Sequence, residues 1–178
     1  SADAHDLIKQ KSFAGFANYS ITFGKWNANA GVRYEHRETD YYQKGIRMEE
    51  QSPTYNDFIP TANISWADKG FSLAFSYRMM TSYPAYYNLS NAISYRSQFE
   101  YNTGNPLLEP SQINILGLRA SYKWFHVSMQ YQRIKNNIAN ITKPYNEETH
   151  PGVLLFTAVN LATYNGYSLN LVASPQIG

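Results

Sequence analysis

Cysteine is absent from the 178 residues, so neither a disulfide framework nor a thiolate metal site is open to this chain. Charge is scarce and nearly balanced: 15 Lys and Arg against 13 Asp and Glu give a net +2, and charged residues make up 16% of the sequence. With no excess of either sign, no nucleic-acid partner is expected. Long apolar runs are missing as well. None approaches the about 18 residues of a membrane helix, and the mean hydropathy is −0.49. Helical pattern is confined to one turn from Ser82, with Pro84 suited to its first turn. His5, His36, His126 and His150 are scattered, without the spacing of a metal motif. Glu147, Glu148 and His150 share a stretch best read as solvated loop. There is no G-x-S-x-G, and prolines in GNPLLEP (104–110) fall where a phosphate loop needs backbone N–H groups. The expectation is a non-enzyme with no catalytic residue, no cofactor and no metal site.

What the sequence has in quantity is aromatic side chains, 16 Tyr, 9 Phe and 3 Trp, and two-residue alternation. The clearest case is residues 71–79. Phe71, Leu73, Phe75, Tyr77 and Met79 share one side, with Ser72, Ala74, Ser76 and Arg78 on the other, as a strand with two unlike faces requires. Similar patterns at 13–23, 26–41, 62–66, 116–122, 125–132, 153–163 and 167–173 predict about eight strands, with 1–11 as a frayed or looped end. The connections alternate short and long: turns at Gly24 and Lys25, at 67–70, at Lys123 and Trp124, and at Asn165 and Gly166, against long stretches at 38–55, 81–111 and 142–152. Up-and-down antiparallel strands would put all the tight turns at one rim and all the long loops at the other. That asymmetry belongs to outer-membrane barrels, whose alternation escapes hydropathy averaging. On alternation alone a soluble lipocalin-like binding protein also fits. Small polar residues such as Ser72, Ser76, Ser121 and Ser128 on the second face, and the abundance of Tyr, favour the membrane. The expected class is all-β, an antiparallel up-and-down transmembrane β-barrel.

The order of several motifs resembles the barrel of TonB-dependent outer-membrane receptors. SYRMMTSYPAYYNL (76–89) and GNPLLEP (104–110) carry the resemblance, preceded by GVRYEHRETDY (31–41) and FIPTANISW (58–66) in matching order. It covers roughly residues 13–172. One departure is Tyr83 before Pro84, where related sequences often carry Arg, so any role of that Arg is not transferable. The resemblance implies barrels of about 22 strands around a plug. About eight strands and no plug-like region then read as one section, residues 1–178, of a larger barrel. The implied function is nutrient import across the outer membrane of a Gram-negative bacterium. The implied partners are outer-membrane lipid, a nutrient ligand, and an energy-coupling inner-membrane complex reached through the missing plug. An intact eight-stranded structural or adhesive barrel stays open as an alternative, as does self-association of the section through its edge strands.

Within the longest loop, Tyr83, Tyr86, Tyr87, Tyr95, Arg96 and Tyr101 are the candidate ligand contacts. Flat amphipathic rings beside Asn suit sugar or peptide ligands and protein partners. The same rings would equally serve to pack the loop onto the rim.

Overall fold

The computed structural model describes residues 6–175. In chain order the strands are β1 (Asp6–Phe23), β2 (Trp26–Gln43), β3 (Ile46–Arg47), β4 (Thr54–Asp68), β5 (Phe71–Ser82), β6 (Ser94–Ser97), β7 (Glu100–Asn102), β8 (Ser111–Tyr122), β9 (Phe125–Lys135), β10 (Asn137–Asn146), β11 (His150–Leu161) and β12 (Tyr164–Ala173). A helical turn α1 (Tyr86–Leu89) follows Pro84. An eight-stranded antiparallel sheet runs β1-β2-β4-β5-β8-β9-β12, with β3 folded back onto β2. A second sheet, β10-β11-β7-β6, is built from the long connections.

Register explains why these strands lie side by side. Ile21 stands opposite Ala28, then Ile64, Phe75, Leu118, Met129 and Leu169 continue one row across all seven neighbours. The row one residue over is Ser20, Asn29, Asn63, Ser76, Gly117, Gln130 and Ser168. Direct partners in an antiparallel pair share a face, so one face is apolar and the other polar throughout. A slip of one residue at any seam would place serines and asparagines among the apolar side chains.

Two belts of rings bound the apolar face. Near the tight turns, Phe23, Trp26, Trp66 and Phe71 meet in succession, with centroids 6.3, 6.4 and 5.6 Å apart. Towards the long loops, Tyr34 meets Phe58 at 5.0 Å and Tyr131 meets Tyr167 at 5.1 Å. There Tyr34, Tyr77 and Tyr131 donate their hydroxyls to Asn56, Asn114 and Asn165, at 2.9, 2.8 and 2.9 Å. Each acceptor lies two residues nearer the long-loop rim on the same face, so the rings keep their apolar bodies on the apolar band and their polar tips at its edge. From Trp26 to Tyr34, and from Phe58 to Trp66, the strand runs nine residues, within the roughly 9–11 of a tilted strand crossing hydrocarbon.

The tight turns at Gly24, at Lys69 and Gly70, and at Lys123 use positive φ, +60°, +44° and +79°, and +51°, as two-residue hairpins on twisted strands demand. All lie at one rim. The opposite rim holds 44–53, 83–110 and 136–163.

Several expectations change. Residues 142–152, expected as a loop, lie mostly in β10 and β11. β1 begins at Asp6 instead of near Phe13, because Lys9 pairs with Asp40 and Lys11 with Glu38. A strand continuing above an apolar band has two wet faces and leaves no alternation to read. Residues 153–163 form no barrel strand, since β11 pairs with β10 and β7 in the second sheet. The chain leaves the barrel wall at Asn136, φ +52°, and β12 then pairs directly with β9 from Tyr164 opposite Ile134. Asn165 and Gly166, expected as a turn, therefore sit inside β12 opposite Arg133 and Gln132. Gly166 is suited to that place because the Gln132 side chain passes 3.0 Å from where a Cβ would stand.

With seven strands side by side, β1 and β12 both run towards the tight-turn rim. The sheet is open, and these two edges cannot meet as an antiparallel pair.

Candidate ligand-facing site at the long-loop rim

Two anchors hold the 83–110 loop against the rim. Its first half is tied by Asn91, whose side-chain oxygen accepts from the Tyr41 hydroxyl at 3.0 Å and from the Gln43 amide at 2.9 Å. Tyr41 is fully buried under this contact. The GNPLLEP half is tied by Leu108, also fully buried, and by Asn160 of β11, which brackets Glu109. The Glu109 N–H donates to the Asn160 oxygen at 2.8 Å, and the Asn160 amide donates to the Glu109 carbonyl at 2.9 Å. Gly104 lets the halves meet: a Cβ there would lie 2.4 Å from the Ser90 carbonyl oxygen and 2.6 Å from that of Asn88, which no side chain survives.

Tyr83 proves to be part of these anchors. Its hydroxyl donates to Asp57 at 2.6 Å, and the Arg37 guanidinium lies over its ring at 3.8 Å. Tyr55 packs beside it at 5.8 Å. Arg37 in turn donates to Glu35 at 2.8 Å, and Arg33 donates to the same carboxylate at 3.3 Å. Burial, followed by the neighbouring Asp57 carboxylate, pushes the Tyr83 phenol above its ordinary value, so it stays a neutral donor. With ring face and hydroxyl both engaged, Tyr83 positions the loop.

Tyr95 and Tyr101 come together, edge to face at 4.6 Å. Tyr101 also meets Tyr145 at 5.0 Å and His150 at 6.3 Å. Tyr95 keeps 68% of its surface exposed. Arg96 is exposed and reaches towards the Phe156 ring at 5.9 Å. Tyr87 stands apart, 75% exposed; the side chain of Tyr86 falls outside the described residues. The arrangement is a ridge of rings with open faces and phenol donors, able to stack on a flat or amphipathic ligand. Sequence reasoning missed Tyr145 as a member, as well as Arg37 and Asp57 as the seat for Tyr83. The signal for Tyr145 was its place in another loop of the same rim.

Against known proteins, residues 4–178 match the model of the outer membrane protein beta-barrel family. This chain belongs to that family. Its apolar face is thereby the lipid face and its polar face the lumen, in a Gram-negative outer membrane, and the soluble-binder alternative falls. No curated protein sequence matches it. Among solved structures, the hemophore receptor HasR of Serratia marcescens, a double mutant in complex with its hemophore HasA and heme, superposes with a TM-score of 0.68 at 13% identity. The fit covers 91% of this chain and 31% of that one. The siderophore receptor PirA of Pseudomonas aeruginosa gives 0.50 at 14% identity, over 94% of this chain and 40% of the other. These likenesses establish the shared barrel fold. The chain thus spans about a third of the length of the receptors it matches.

Proposed function

We propose that this family member is a section of the barrel wall of a receptor that imports a nutrient across the outer membrane. The ligand binds at the long-loop rim, and energy relayed from the inner membrane through a plug drives its entry. Residues 1–178 act as one barrel-wall unit in this reading. The observation that carries it is the second sheet: connections that could have been short instead build β6, β7, β10 and β11 over one rim and expose aromatic rings there. Ordered loops of this length are costly unless they do work. The resemblance to TonB-dependent receptors and the fold shared with HasR and PirA support the same reading.

In the full-length protein, changing Tyr86, Tyr87 and Tyr95 together to Ala should weaken ligand binding about tenfold or more, since a stacking ring contributes about 1 kcal/mol. Heat-modifiable migration of the barrel on a gel should stay unchanged. Loss of the folded barrel without a separable uptake defect would make the rings structural and overturn the assignment.

A further inference from the structure

The lumen wall carries a second feature, distant from the loop rings. Arg78 on β5 and Arg119 on β8 both point to the polar face and line one groove of ≈ 490 Å³. Both are exposed, and among the described residues neither takes part in an ion pair. The groove contains no Asp or Glu. Further along the polar face, Glu35 is paired with Arg33 and Arg37, and Asp57 accepts from the Tyr83 hydroxyl. Register sets the arginines two rows apart on adjacent strands, Arg78 opposite Ile115 and Arg119 opposite Ala74, about 13 Å along the barrel wall at about 3.3 Å per residue. Between them the floor is bare. Gly117 faces Ser76, whose hydroxyl oxygen would sit 2.7 Å from a Cβ added there, and the glycine itself puts no side chain into the groove. Asn63, Gln130 and Ser168 supply uncharged donors around the gap.

We propose that this wall is an anion-binding track, and that the solute it takes carries carboxylate or phosphate groups. The proposal rests on the uptake reading above and adds the charge class of what is taken up. Two cations with no acidic side chain in their groove, on a wall backed by lipid, face a low-dielectric medium on one side, which concentrates their field into the lumen. Arg rings are the usual means by which pores select anions and phosphates, and lumen side chains set barrel selectivity. A guanidinium can grip either group with two parallel hydrogen bonds.

Thermal unfolding of the full-length protein in detergent, titrated with pyrophosphate and separately with citrate, tests this. Sodium chloride of matched ionic strength serves as the reference. Both anions should raise the midpoint by about 2 °C above that reference at hundredfold saturation. The rise should vanish in R78Q/R119Q and persist at least in part in R78K/R119K. A response to pyrophosphate alone assigns phosphate, and to citrate alone carboxylate. An equal rise in R78Q/R119Q overturns the proposal. So does the absence of any rise, including the case where R78Q/R119Q merely lowers the midpoint, which would show the arginines neutralised by carboxylates of the protein itself. The readout needs no uptake, so its failure and that of the loop-tyrosine test are separate.

Discussion

Single residues report which medium each face meets. Phe75 sits mid-row on the apolar face, 44% exposed, with Ile64 and Leu118 as neighbours in register. Ser76, next in the chain, lies between Asn63 and Gly117 on the polar face. Phe75→Arg should therefore cost roughly 2–4 kcal/mol in a refolding titration into lipid, and Ser76→Arg far less; equal costs would refute the orientation. Tyr83 permits a test at the rim. Removing its hydroxyl leaves Asp57 without its 2.6 Å donor, a loss of about 1.5–3 kcal/mol for a hydrogen bond to a charged group. Tyr83→Phe should speed trypsin cleavage after Arg96 several-fold with the barrel's unfolding unchanged. The pH sign follows from the raised phenol. Because the folded value lies above the unfolded one, the latch is at full strength below about pH 10 and weakens as pH rises through the folded value. In a spectrophotometric titration of tyrosinate, Tyr83→Phe should therefore remove one phenol from the most alkaline part of the curve.

At the level of elements, the loop sheet is a separate layer whose removal the barrel should tolerate. Ile134 of β9 and Tyr164 of β12 already stand opposite each other, so replacing residues 136–162 by a short Asn-Gly turn asks nothing new of the wall. That variant should keep heat-modifiable migration and lose protection of β7, which pairs with β11 through Leu154, Leu155 and Phe156. Loss of migration would mean that the loop sheet holds the wall together. The same division explains what the sequence made legible. Strands that cross lipid must sort apolar from polar at every second residue, which is why β2, β5, β8 and β9 could be read within about five residues, whereas only 62–66, near the tight-turn end of β4, could be read. Above the membrane that constraint lapses, so the start of β1 was invisible. Val153 and Leu155 alternate as a barrel strand would, yet they pack under the loop sheet, where they are buried. Alternation reports two unlike faces and is silent about which sheet owns them. The candidate site divided for a similar reason. Tyr95 was readable as an exposed loop ring and Tyr101 as its half-buried neighbour, whereas the engagement of Tyr83 depends on Arg37 and Asp57, distant in sequence and carrying no motif.

For the molecule as a whole, the direction of its edges decides how residues 1–178 would behave if produced alone. β1 and β12 each present an unpaired strand edge across the lipid band. Unsatisfied backbone groups in hydrocarbon cost several kcal/mol apiece, so open edges are not tolerated there. Closure of the sheet on itself would bring two strands running the same way into contact and break the up-and-down order. A second copy inserted with its loops on the same side offers no better match, because its β1 also runs parallel to the first copy's β12. An antiparallel β12–β12 seam would require one copy to be upside down in the membrane. The strands that complete this barrel must therefore be odd in number, with both outermost members running towards the long-loop rim. Without them, the isolated chain in detergent should self-associate through β1 and β12 into a broad distribution of sizes. Analytical ultracentrifugation checks this, together with gel migration before and after heating. Several sedimenting species and no compact heat-modifiable band are expected. A single monomeric species with heat-modifiable migration would mean that seven strands close after all, and the parity argument would fail.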